Sequence, residues 1–100
     1  MSDIQDASVS EEINEKAIAT AIRELIKELS PNESIDAVEP SMSLVEDLSY
    51  HSLALMELAF TIEDEFGLSP MNESVALKIK TVSDVEAHVI QELKAKHAAA

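Results

Sequence analysis

The chain has no cysteine, which excludes a disulfide framework, a thiol nucleophile and a thiolate-bound metal. A single glycine, Gly67, and three prolines in 100 residues are too few for the tight turns of an all-β fold. Only three residues are aromatic, so Leu, Ile, Val, Met and Ala must fill the core, a composition that small helices supply well. The amino terminus lacks the basic stretch and apolar run of a signal peptide. No apolar segment is long enough to cross a bilayer. A soluble, cytoplasmic protein is expected. His51, His88 and His97 are scattered, and the acidic runs lack the spacing and glycine of an EF-hand, so no metal is expected.

Positive charge is scarce as well. Seven basic residues face twenty acidic ones, a formal charge of −13. Such a surface repels nucleic-acid phosphates and anionic membranes. It either attracts proteins with basic docking patches or serves solubility alone. With 46% hydrophobic residues the chain can bury a core, and its length suits one compact domain.

Hydrophobic periodicity predicts the helices. Residues 1–9 are polar and acidic without a period and read as a flexible tail. A helix is predicted from Ser10 to Leu29, capped by Ser8 with Glu11 or by Ser10 alone and stopped by Ser30-Pro31. Ile18, Ile22, Leu25, Ile26 and Leu29 form its core face. Residues 31–51 read as a long connection, with Leu44 and Leu48 turned inward and Val45 nearby. A second helix runs from Ser52 to Phe66, with Gly67 as its left-handed terminator. Asn72 caps a short helical turn whose apolar contacts come from Val75, Ala76, Leu77 and Ile79. The last helix starts near Thr81 or Ser83, with Ser83 and Glu86 as a capping box and a stripe of Val82, Val85, Val89, Ile90 and Leu93. Lys94, Lys96 and His97 suit its terminal dipole, and residues 97–100 read as a loose tail. The predicted fold is all-α, a small four-helix bundle of three longer helices and one short one. Its domain spans residues 10–96, with a long loop between the first two helices.

The second helix carries two apolar stripes when its residues are set at about 100° apart. Leu55, Leu58, Ala59, Ile62 and Phe66 form a core stripe. Leu53, Met56 and Phe60 form another, bordered by Glu57 and Asp64 on one edge and Glu63 on the other. An apolar strip fenced by carboxylates is the pattern of a docking surface. Cover by another helix or by the long loop is the structural alternative.

Ser52, read alone, is a helix N-cap. Its surroundings say more. Leu44-Val45-Glu46-Asp47-Leu48, His51-Ser52-Leu53, Glu57-Leu58 and Ile62-Glu63-Asp64-Glu65-Phe66-Gly67 together resemble the core of acyl carrier proteins. Thr81-Val82-Ser83-Asp84-Val85 resembles the opening of that family's last helix, so the likeness covers roughly residues 11 to 94. The resemblance implies that Ser52 receives 4′-phosphopantetheine from coenzyme A through a phosphopantetheinyl transferase. It implies that the arm's thiol holds an acyl or aminoacyl group. It also places Leu53, Met56, Glu57, Phe60, Glu63 and Asp64 where loading and acyl-processing enzymes dock. A monomeric carrier in fatty-acid, polyketide or related lipid biosynthesis, without catalysis of its own, is the implied function.

Two positions depart from the family pattern. His51 stands where an Asp is usual and Ser49 where a Gly is usual. His-Ser-Leu resembles the peptidyl carriers of nonribosomal synthetases instead, whereas the acidic second helix resembles fatty-acid or polyketide carriers. A specialised free-standing carrier accommodates both. A helical adaptor, with Ser52 as a cap only, remains an alternative. A catalytic His51–Ser52 pair is disfavoured, because sequence neighbours at a helix start do not point side chains at each other and no third residue orients the histidine.

Overall fold

The computed structural model describes residues 14–99. The expected tail at 1–9 and the expected caps Ser8, Ser10 and Glu11 lie outside the described residues. Those residues form four helices, α1 (Glu15–Leu29), α2 (Ser52–Phe66), α3 (Glu73–Ala76) and α4 (Val82–Ala99). The all-α architecture of three longer helices and one short one is the predicted one. α1 begins five positions after the expected Ser10. Asn14 has extended backbone, and its side chain accepts the Ala17 amide, satisfying one donor that the first turn leaves free.

α1 packs on both α2 and α4. Ile22 and Ile26 of α1 meet Ala54, Leu58 and Ile62 of α2 and Val82, Val85 and Val89 of α4 in one buried cluster. The polar face of α1 contributes two ion pairs to α4, Glu15 with Lys94 at the surface and Arg23 with Glu86 further in. Arg23 Nε donates to Glu86 Oε2 at 2.6 Å, and Glu86 is buried. Glu86 is therefore not part of the expected cap on α4. Thr81 and Asp84 form that box instead: Thr81 Oγ1 accepts the Asp84 amide, while Asp84 Oδ2 accepts the amides of Lys80 and Thr81. Those amides, Lys80's first, hold the Asp84 carboxyl below its ordinary range. α4 continues through Ala99 rather than loosening at His97, and Lys96 Nζ donates to the Gly67 carbonyl at 2.7 Å.

The long connection is part of the core. Leu44 and Leu48 point inward as expected, and Tyr50 joins them at 1% exposure. Backbone bonds from Leu44 to Lys80 and from Val82 to Met42 tie it to the start of α4. Val45 faces solvent. Leu77 is likewise exposed rather than in apolar contact, and in this region it is Val75 and Ile79 that are partly buried. If the connection is truly core, Leu48→Ala costs about 2–5 kcal/mol, the range of a helix-core truncation. Denaturant titration checks this, and a loss below about 1 kcal/mol, typical of a surface site, contradicts it.

Candidate functional site

The segment Ser49-Tyr50-His51-Ser52 leads into α2, and each residue has a distinct local task. Ser49 has φ of +63°, the left-handed region that favours glycine. This explains why the resemblance places a glycine here. Ser49→Gly relieves about 1–2 kcal/mol of left-handed strain against about 0.4–1 kcal/mol of added freedom in the unfolded chain. A small net gain in stability, seen as a raised denaturation midpoint, is expected.

His51, not Ser52, is the cap. Its backbone is extended, and its Nδ1 accepts the Ala54 amide at 3.4 Å. That bond requires Nδ1 without a proton. Histidine is not among the favoured capping residues, which is why the serine was the expected one. Ser52 is thus the first helical residue, and its side chain is exposed. Among the described residues its hydroxyl makes no hydrogen bond, so the oxygen is not committed to the fold. The first intrahelical bond runs from the Leu55 amide to the His51 carbonyl. The amides of Ser52 and Leu53 precede it and offer donors and the positive end of the helix dipole to an anion.

Down α2 the outer apolar stripe faces solvent. Leu53 and Phe60 are each 61% exposed and Met56 is 53% exposed, so among the described residues neither the long loop nor another helix covers them. Glu57 and Asp64 are exposed beside them. Glu63 is placed differently. It is half-buried, and its Oε2 accepts the Met71 amide at 3.0 Å, closing the turn between α2 and α3. Of the six expected docking residues, five are fully presented and one is partly engaged by the fold.

Behind α2 lies an apolar cavity of about 160 Å³, walled by Leu55, Leu58 and Ile62 of α2, Ile79 beyond α3, and Val85 and Val89 of α4. Its volume is close to that of the ~150 Å³ apolar cavities that accept a benzene-sized guest, although one side is open to solvent. Glu63, Ser69 and His88 are its few polar neighbours. Tyr50 is the residue at the site that periodicity did not assign. Its phenol donates to the Ile26 carbonyl at 2.7 Å.

Among the described residues no helix is long and apolar enough to cross a membrane, and no cluster of His, Cys, Asp and Glu is placed to hold a metal ion.

The model of the family described as "Phosphopantetheine attachment site" matches residues 16–89. The meromycolate extension acyl carrier protein of Mycobacterium tuberculosis is 33% identical over 77 residues, which are 77% of this chain and 65% of that protein's length. An acyl carrier protein of Rhodococcus erythropolis is 37% identical over 83 residues, covering 77% of this chain and 89% of that one. In fold, the chain is similar to a crystal structure of an acyl carrier protein from Thermotoga maritima. The TM-score is 0.65 at 24% identity, covering 83% of this chain and 94% of that one. The breadth of the family match and the coverage of these relatives are decisive: the chain belongs to the acyl carrier protein family, whose attachment domain carries phosphopantetheine covalently.

Proposed function

We propose that Ser52 is the attachment residue and that the chain carries acyl groups between enzymes of lipid biosynthesis without catalysing a step itself. The observation that carries this reading is the uncommitted, exposed hydroxyl of Ser52 on the first turn of α2, inside the matched family domain. The site suits the group. The Ser52 and Leu53 amides provide donors for its phosphodiester, and the exposed position leaves its arm free to reach a docked enzyme. When bound, the arm supplies a terminal thiol that holds an acyl group as a thioester, at a high effective concentration for that enzyme.

Several features support the accompanying roles. His51 commits Nδ1 to capping α2, which leaves that nitrogen unable to act as base for Ser52 and favours a carrier over a hydrolase. The apolar walls of the cavity favour an acyl cargo over a polar aminoacyl one. Leu53, Met56 and Phe60 are the anchors of the docking face, and Glu57 and Asp64 orient basic patches on the transferase and the acyl-processing enzymes. A monomer in the cytoplasm fits this traffic.

Incubation with coenzyme A and a broad-specificity phosphopantetheinyl transferase tests the reading. The expected outcome is a gain of one phosphopantetheinyl group in intact mass, with one 3′,5′-ADP released per chain. A folded chain that gains nothing with several such transferases contradicts it.

A further inference from the structure

The chain between α1 and Ser52 is fastened by two buried side chains acting in opposite directions. From the end of α1, Ser30 Oγ donates to the Leu48 carbonyl at 2.7 Å. From the loop, Tyr50 Oη donates to the Ile26 carbonyl in the last turn of α1, also at 2.7 Å. Leu48 and Tyr50 are the two residues that flank Ser49, the non-glycine residue held in the left-handed region. The Tyr50 amide adds a bond to the Leu44 carbonyl at 2.9 Å. Ser49 is thus gripped on both sides, and the grip opposes its preference to leave that conformation. His51 and Ser52 follow directly, so the direction in which α2 starts is set by these bonds.

The ring of Tyr50 alone would satisfy a packing role, and phenylalanine would fill the same space. A buried hydroxyl is costly unless it is bonded, so its presence here has to be explained by what the bond does. Burial also raises the phenol's pKa, which keeps the proton on Oη for donation. The bond's effect is to lock the register of the loop against α1 two residues before the attachment site.

We propose that Tyr50 is the positioning residue for loading of Ser52. Its hydroxyl on the Ile26 carbonyl, together with Ser30 on the Leu48 carbonyl, fixes the backbone from which the Ser52 hydroxyl meets the transferase. The proposal rests on Ser52 being the attachment residue and adds what sets its reactivity. Misplacing a reacting oxygen by a fraction of an ångström lowers the rate of a bound complex without changing how its partners bind.

Steady-state loading of Tyr50→Phe by a purified transferase tests this, at a temperature where circular dichroism finds every variant folded. The expected result is a kcat about tenfold below wild type with KM for coenzyme A unchanged, and a decrease in the same direction for Ser30→Ala. Leu93→Ala serves as the stability control. Leu93 packs on the core near the end of α4, where Lys96 reaches Gly67 at the opposite end of α2 from Ser52, and this variant loses at least as much stability while loading at the wild-type rate. Should Tyr50→Phe load with wild-type kcat, or slow only as much as Leu93→Ala does, the positioning role is overturned while the Ser52 reading stands. A wild type that accepts no arm overturns both.

Discussion

Ser52→Ala is expected to gain no mass with coenzyme A and a transferase, while keeping its helical signal and nearly all of its stability. The loss is complete because the transfer needs an oxygen nucleophile at this position on the helix: the exposed hydroxyl of Ser49 lies before α2 on left-handed backbone, and the other hydroxyls near the site are engaged. Tyr50 Oη and Ser30 Oγ are buried and bonded to the Ile26 and Leu48 carbonyls. Thr61 Oγ1 is bonded to the Glu57 carbonyl and lies more than two turns further along α2. The fold survives because the cap on α2 is His51, so the variant removes no capping bond and places a strong helix former at the first helical position. The expected change in stability is within about 0.5 kcal/mol. Ser49→Gly removes the nearest remaining exposed hydroxyl without disturbing the left-handed backbone, and this variant loads as wild type. Loading of Ser52→Ala would move the attachment to another residue.

Reversing Glu57 and Asp64 to lysine is the second large effect. Each exposed pair with a partner's base is worth about 0.2–1 kcal/mol, and reversal replaces attraction with repulsion at two sites. The apparent affinity of the transferase for the carrier, read as KM at low salt, is expected to weaken by about tenfold or more. Added salt narrows the gap, because screening weakens the wild type's attraction and the variant's repulsion alike. Glu63 is left out of the substitution on purpose. Its carboxylate accepts the Met71 amide, so changing it would disturb the turn between α2 and α3 and confuse docking with folding. An unchanged KM at low salt in a folded variant argues against this face.

How far the sequence could be read depended on whether a residue's role was local. α2 was legible to its ends, since Ser52–Phe66 is an unbroken run free of Gly and Pro and Gly67 adopts the left-handed terminator conformation. Its outer stripe was legible too, because a side that the core cannot reach must either be covered or be exposed. Caps were less so. Asn14, His51 and Thr81 each stand near several residues able to do the same task, and only the backbone path selects among them.

Roles set by distant partners were not legible. Glu86 looked like a capping carboxylate until α1 brought Arg23 against it. Glu63 looked like a docking carboxylate, yet the chain returns at Met71 to use one of its oxygens. Tyr50 sits in a stretch without a period, where an amphipathic side chain gives no sign of pointing in or out. It became visible only once the loop was seen packed against the end of α1. Leu77 is the converse, an apolar residue that local pattern turned inward and the fold leaves in water.

Fragmentation mass spectrometry of the protein purified from the cell that makes it would decide the matter most directly. A phosphopantetheinyl group is expected on the peptide that spans His51 and Leu53, with fragment ions placing it on the serine between them. A native protein that is uniformly bare, or one whose arm sits on any other side chain, would contradict the account.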